Sequence, residues 1–161
     1  MKLVVLIVLL AGTMVNSCKK GNGAGSDKSL EKVTIQTGLI GTIKKKDGNC
    51  MPMLDANGNA ISPCKEVAIQ DTLVIHELTS WSQLIGETSY YDSIKSKKVA
   101  TVISNKQGFY EVSLSKGQYS VFIVENNRYF ANRGTSDGVN PVTIHADSIT
   151  VFNPVLDISV Y

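Results

Sequence analysis

The sequence has few of the residues on which enzymes and nucleic-acid-binding proteins depend. Its 161 residues contain only two histidines and three cysteines, with no Walker loop and no CxxC pair, so familiar parts of phosphoryl-transfer and redox chemistry are missing. The formal net charge is +2, without the basic stripe that binds nucleic acid. We therefore expect a protein that is not an enzyme, holds no cofactor or metal, and has no nucleic-acid partner.

The chain also lacks a long hydrophobic run, although a short one opens it. Residues 3–15 follow Lys2 and are almost all apolar, but a spanning helix needs roughly 20 such residues. This profile is typical of a secretory signal. The run ends at Val15-Asn16-Ser17-Cys18, which resembles the lipobox of bacterial lipoproteins. The resemblance implies cleavage before Cys18 and acylation of its thiol with palmitate-type chains, which anchor a protein to a membrane; the alternative is an ordinary signal peptide with a coincidental cysteine.

The composition after Cys18 divides the chain into three parts. Residues 1–17 form the predicted signal peptide, and residues 18–32, rich in Gly, Ser and charge, form a predicted flexible tether. Residues 33–161 are enough for one domain with a core and too few for two.

Cys50 and Cys64 remain once Cys18 is assigned to the anchor. Outside the cytoplasm such a pair is more often oxidised than free. A bridge between them closes a loop of about 15 residues, which the loop-entropy model values at roughly 3 kcal/mol. A two-cysteine metal site is the alternative, but neither a CxxC spacing nor a nearby histidine supports it.

The chain beyond Val33 consists of short β-rich runs separated by turn residues. Apolar and polar residues alternate over 110–114 and 119–123, which is the period of a half-buried strand. Alternation places six side chains in the core and Ser120 on the solvent side; the six are Tyr110, Val112, Leu114, Tyr119, Val121 and Ile123. Apart from a turn or two within 80–97, no segment indicates an amphipathic helix. An all-β, antiparallel sandwich is therefore predicted.

The strand pattern resembles carboxypeptidase regulatory-like domains. GLIGTIKKKDGNCMP (38–52) and VATVISNKQGFYEVSLSKGQYSVFIVENN (99–127) carry the resemblance. The matching turn glycines and core aromatics are Gly41, Asp47-Gly48, Gly108, Tyr110, Gly117 and Tyr119. The resemblance implies a prealbumin-like Greek-key sandwich of about seven strands, without catalytic residues. With the lipobox, the chain resembles lipoproteins of Bacteroidetes-type bacteria, which implies a structural, docking or accessory module of the cell envelope.

Two partial motifs point to metals, and both have simpler interpretations. His76-Glu77 begins HExxH, but Ser80 replaces the second histidine, so we expect a half-exposed strand histidine. Asp55, Asn57, Asn59 and Glu66 follow EF-hand spacing without the central glycine. We expect an Asn-Gly turn at the tip of a disulfide-closed hairpin instead.

Trp81, Tyr90 and Tyr91 are the candidate contact residues. They lie in the polar stretch TSWSQLIGETSYYDSIKSKK, and loops displayed by a rigid sandwich often bind ligands. Aromatic side chains there can stack on a glycan or anchor a peptide or envelope protein; the alternative is that they cover one end of the core.

Because Lys19 is neither the retention aspartate of inner-membrane lipoproteins nor part of an acidic export signal, we expect an outer-membrane anchor facing the periplasm, with the cell surface as the alternative.

Overall fold

The computed structural model describes residues 32–48, 50–61 and 64–157. The predicted signal peptide, Cys18 and nearly all of the tether lie outside that part of the chain. Within it there is no α-helix, one short 3-10 helix at Trp81–Gln83, and no helix that could cross a membrane. The strands are β1 (Gly38–Thr42), β2 (Lys44–Asp47), β3 (Met53–Leu54), β4 (Ala60–Ile61), β5 (Lys65–Ala68), β6 (Thr72–Glu77), β7 (Leu84–Glu87), β8 (Tyr90–Ile94), β9 (Lys98–Ile103), β10 (Phe109–Ser113), β11 (Gly117–Glu125), β12 (Arg128–Phe130), β13 (Pro141–Ile144), β14 (Ile149–Val151) and β15 (Val155–Leu156).

The strands form an all-β sandwich, as predicted. The larger sheet has the order β7-β8-β12-β11-β6-β9, with β13 paired to the first half of β11. The opposite side is built from β10-β1-β14 and β15-β2-β5, which meet where β1 runs into β2 through Ile43. Two pairings are parallel rather than antiparallel, β1 with β14 and β2 with β15. In both pairings one of the last strands of the chain, β14 or β15, lies beside one of the first two strands.

The main core lies between the two sides of the sandwich. It contains five of the six predicted core side chains as buried residues and Val112 as a half-buried one. These residues lie in β10, directly after it at Leu114, and in β11. Because β10 and β11 belong to different sides, the connection after Leu114 crosses from one side to the other. Tyr110 is 2% exposed, and its hydroxyl donates to the carbonyl of Phe152 over 2.6 Å. Burial raises the pKa of the Tyr110 phenol.

Turn chemistry fixes the entry into β10. Gly108 has a φ of +78°, a conformation that side chains with a Cβ rarely adopt. A Cβ there would also lie 2.5 Å from the carbonyl oxygen of Ile43. Asn105 closes the turn by accepting from the backbone N–H groups of Gln107 and Phe109. The glycine of the NKQG turn is therefore required by geometry at this position.

A second apolar cluster covers the other face of the larger sheet, which we call the outer face. Phe122 is fully buried there with Tyr91, Ala131 and Val139. Residues 79–97 leave the end of β6 and contact the outer face through Thr79 and Ser96. Their strands β7 and β8 extend the larger sheet beyond β12 before the chain returns to β9. We call residues 79–97 and 131–140 together the outer layer. The expectation that Ser120 faces solvent is wrong, because its side chain is fully buried beneath this layer.

A charged side chain at position 120 should therefore be as damaging as one in the main core. We expect Ser120→Lys to lower the free energy of unfolding by several kcal/mol, because the ammonium group would be buried without a partner. Gln118→Lys is the matched control, since Gln118 lies on the same face of β11 but is exposed. Urea unfolding of both variants is the measurement. Equal stabilities for the two variants would contradict the burial of the outer face.

Candidate functional site

The three candidate aromatic side chains do not form one surface. Trp81 is 51% exposed, whereas Tyr91 is 4% exposed and belongs to the outer-face cluster. Tyr90 and Tyr91 are neighbours in β8, so they point to opposite faces of the sheet. Tyr90 packs against the main core, with its ring centroid 5.1 Å from that of Phe130. Trp81 alone of the three offers a largely exposed ring.

The indole of Trp81 is held in place although it is exposed. Its Nε1 donates to the carbonyl oxygen of Thr135 over 3.2 Å. A Cβ at Gly134 would lie 2.1 Å from Cζ2 of the indole, so only glycine lets the ring approach this closely. The 3-10 turn that carries Trp81 is closed by the Ser80 N–H, which donates to Oε1 of Gln83 over 2.9 Å. The ring is therefore a pre-positioned contact surface with little freedom to lose on binding.

The turn beneath Trp81 contains one motif match that the sequence interpretation overlooks. Residues 134–138, GTSDG, fit the GxSxG pattern of serine hydrolases. That pattern is meaningful where the serine sits between a strand and a helix, whereas here the exposed turn joins β12 to β13. The hydroxyl of Ser136 donates to Oδ1 of Asp137 over 3.2 Å. The geometry supports a turn rather than a nucleophile elbow.

Thr79 fastens the outer layer to the larger sheet. Its N–H donates to Oγ of Ser120 over 2.9 Å, and its hydroxyl donates to the Glu77 carbonyl over 2.9 Å. Its Oγ1 also lies 2.6 Å from Oγ of Ser96. The carbonyl of Thr79 accepts from the N–H of Val139 over 3.0 Å, which ties residues 79–97 to residues 131–140. We call Thr79, Ser96 and Ser120 the hydroxyl junction; no motif or periodicity in the sequence indicates it.

His76 lies beside the hydroxyl junction and is buried, so the expectation of a half-exposed histidine is wrong. The residue is 5% exposed, because Ser96 and the rings of Phe122 and Tyr129 pack against the imidazole. Nδ1 lies 2.9 Å from the carbonyl oxygen of Ser96. Burial lowers the pKa of the His76 imidazole, and the positive charge of Lys98 lowers it further. His145, the other histidine, is exposed.

The cysteine segment forms the expected hairpin. Cys50 and Cys64 are joined by a disulfide with Cα atoms 4.6 Å apart. Between them β3 and β4 pair, and Asp55 accepts from the N–H groups of Asn57 and Asn59 and from the Asn59 side-chain amide. These donors, the Asn59 amide foremost, lower the pKa of Asp55. The turn interpretation is confirmed, because the carboxylate oxygens of Asp55 accept hydrogen bonds from residues of the same turn.

Clefts and acidic clusters do not add to the site. Clefts of about 570 and 370 Å³ lie at the end of the sandwich where β11 begins, and neither is lined by Trp81 or His76. Among the residues that the structure describes, no three His, Cys, Asp or Glu side chains are placed to hold a metal ion. Trp81 and the turn that supports it therefore form the candidate contact site.

Comparison of the chain with protein-family models, with curated proteins and with solved structures finds no match.

The hydroxyl junction yields a stability prediction. We expect Thr79→Val to lower the free energy of unfolding by about 1–3 kcal/mol, because the Glu77 carbonyl and Ser96 hydroxyl lose a buried partner. Thr79→Ser keeps the hydroxyl and should cost only about 1 kcal/mol for the lost methyl group. Denaturant unfolding of both variants tests this. A valine variant as stable as the serine variant would show that the hydroxyl does not fasten the outer layer.

Proposed function

We propose that the chain is a lipid-anchored protein of the bacterial cell envelope, and that its sandwich is a non-catalytic structural or accessory module. The Cys50–Cys64 disulfide carries this proposal, because such bridges persist in oxidising compartments outside the cytoplasm. The bridge supports export, and the lipobox-like quartet ending at Cys18 supports an anchor after export. The resemblance to carboxypeptidase regulatory-like domains of Bacteroidetes-type lipoproteins supports the same role.

The anchor and tether define where the module acts. A tether over 18–32 spans at most about 50 Å when fully extended, so the sandwich stays close to the membrane that holds Cys18. Lys19-Lys20 favours the outer membrane and its periplasmic side, with the cell surface as the alternative. Partners within reach are the membrane itself, neighbouring envelope proteins and envelope glycans.

The anchor is tested at Cys18. We expect Cys18→Ala to abolish palmitate labelling and to leave the precursor unprocessed at that position, because acylation needs the thiol. Metabolic labelling with an alkyne palmitate analogue and mass spectrometry of the mature N-terminus are the measurements. Cys64→Ser is the control and should label like the parent. Labelling that persists in the alanine variant would refute the anchor.

Binding of a glycan or peptide through Trp81 is a second candidate function. The specific observation that favours it is an indole that is half exposed yet held by Thr135 and seated on Gly134. Rigid, exposed aromatic rings supply contact area at low entropic cost. Tyr90 and Tyr91 belong to the two apolar clusters and do not contribute to this surface.

The Trp81 candidate is tested by separating binding from stability. We expect Trp81→Ala to weaken retention of peptidoglycan fragments or cross-linked envelope peptides at least about tenfold, with little change in melting temperature. Ile85→Ala is the matched control, because Ile85 is 50% exposed in the same segment but is not seated on the turn. Tyr91→Ala should instead lower the melting temperature, since it opens a cavity in the outer-face cluster. Parent-like retention by Trp81→Ala would eliminate this candidate.

A further inference from the structure

The buried imidazole of His76 has its two nitrogens in different environments. Nδ1 lies 2.9 Å from the Ser96 carbonyl oxygen and 3.2 Å from the Ser96 hydroxyl. A carbonyl oxygen only accepts, so Nδ1 carries the proton of the neutral ring and Nε2 carries the lone pair. Nε2 is buried and has no hydrogen-bond partner within the described residues. Protonation would therefore create a buried N–H without an acceptor.

The groups packed around His76 do not offset a positive charge. On β11 its register partner is Ser120, and on β9 its register partner is Lys98, which repels an imidazolium. The rings of Phe122 and Tyr129 pack edge-on, with centroids 5.8 and 6.3 Å away. No carboxylate is among these contacts.

The remaining charged groups near this region are exposed and committed elsewhere. Glu77, next to His76 in β6, lies 3.9 Å from Lys97 in an exposed pair. Asp92 of β8 binds the guanidinium of Arg128 over 2.7 Å. Lys95 precedes Ser96 and is exposed. Tyr91 of β8 is a phenol that donates to the Thr88 carbonyl. Lys98 is therefore the charged side chain that disfavours protonation of the His76 imidazole.

The contacts of Ser96 connect His76 to the candidate site. The Ser96 hydroxyl lies 2.6 Å from Oγ1 of Thr79, and Thr79 begins the segment that carries Trp81. Thr79 also holds Val139, which follows the turn beneath the indole. A shift of Ser96 away from a protonated ring would thus disturb both segments of the outer layer.

We propose that His76 is an acid-sensitive latch, whose protonation loosens the outer layer and with it the Trp81 surface. Loosening of the outer layer in acid does not depend on the Trp81 candidate function. Only its functional consequence, a change in the Trp81 contact surface at low pH, rests on that function. Because burial and Lys98 lower the pKa of folded His76, the unfolded or opened state binds the proton first. The stabilisation is fully present above about pH 6.5 and is lost as pH falls below that value toward the lowered pKa.

Hydrogen exchange of the full chain in detergent tests the latch. Peptides covering 79–97 and 131–140 should exchange several-fold faster at pH 5.0 than at pH 7.5 after correction for intrinsic rates, because protonation of His76 favours the opened state. Peptides covering β1 and β10 in the main core should not change. His76→Gln should abolish the difference between the two pH values. His145→Gln, at the exposed histidine, should retain it.

The outcomes separate the latch from its alternatives. Absence of local acceleration in the parent, or acceleration that persists in His76→Gln, would overturn the proposal. NMR titration of the His76 imidazole in the parent adds a readout that needs no variant, and a His76 pKa at or above the ordinary histidine value of about 6.5 would also overturn it. Because ligand binding is not measured, the latch can stand when Trp81 binds nothing, and the Trp81 function can stand when the latch fails.

Discussion

Burial of β11 on both faces is the constraint on which the rest of the structure depends. Val121 and Ile123 pack into the main core, while Ser120 and Phe122 lie beneath the outer layer. One edge of β11 pairs with β6 and the other is shared by β13 and β12. Where the partner of β11 changes from β13 to β12, the side-chain amide of Asn140 donates to the Val121 carbonyl over 3.0 Å and so satisfies it. Both apolar clusters are therefore built on the same strand.

The sequence predicted the inner half of this arrangement and missed the outer half for a physical reason. Alternation along a strand identifies which side chains share a face, but it does not reveal whether the polar face meets water or another layer. Alternation predicted that Ser120 faces solvent, and the incomplete HExxH motif predicted a half-exposed His76. Both side chains are instead buried and hydrogen-bonded. The covering segments have no periodicity, and hydrogen bonds between distant residues such as Thr79 and Ser120 leave no local signal.

The candidate site was also only partly predictable from the sequence. Composition indicated that the stretch after Thr79 is aromatic-rich, but only the formation of strand β8 shows that Tyr90 and Tyr91 lie on opposite faces of the sheet. The support for Trp81 comes from a turn more than fifty residues later in the chain. The site is thus a product of the outer layer; we propose that its integrity depends on the hydroxyl junction and on His76 remaining neutral.

Cooperative unfolding of the outer layer with the sandwich would show that the two form one folding unit. Trp81 is the single tryptophan of the chain, so its fluorescence reports on the outer layer, whereas far-ultraviolet circular dichroism reports on all strands. In urea at pH 7.5 we expect coincident transitions with one midpoint, because both apolar clusters share β11. A fluorescence transition completed at clearly lower urea than the dichroism transition would contradict this expectation, since the outer layer would then be a separable appendage.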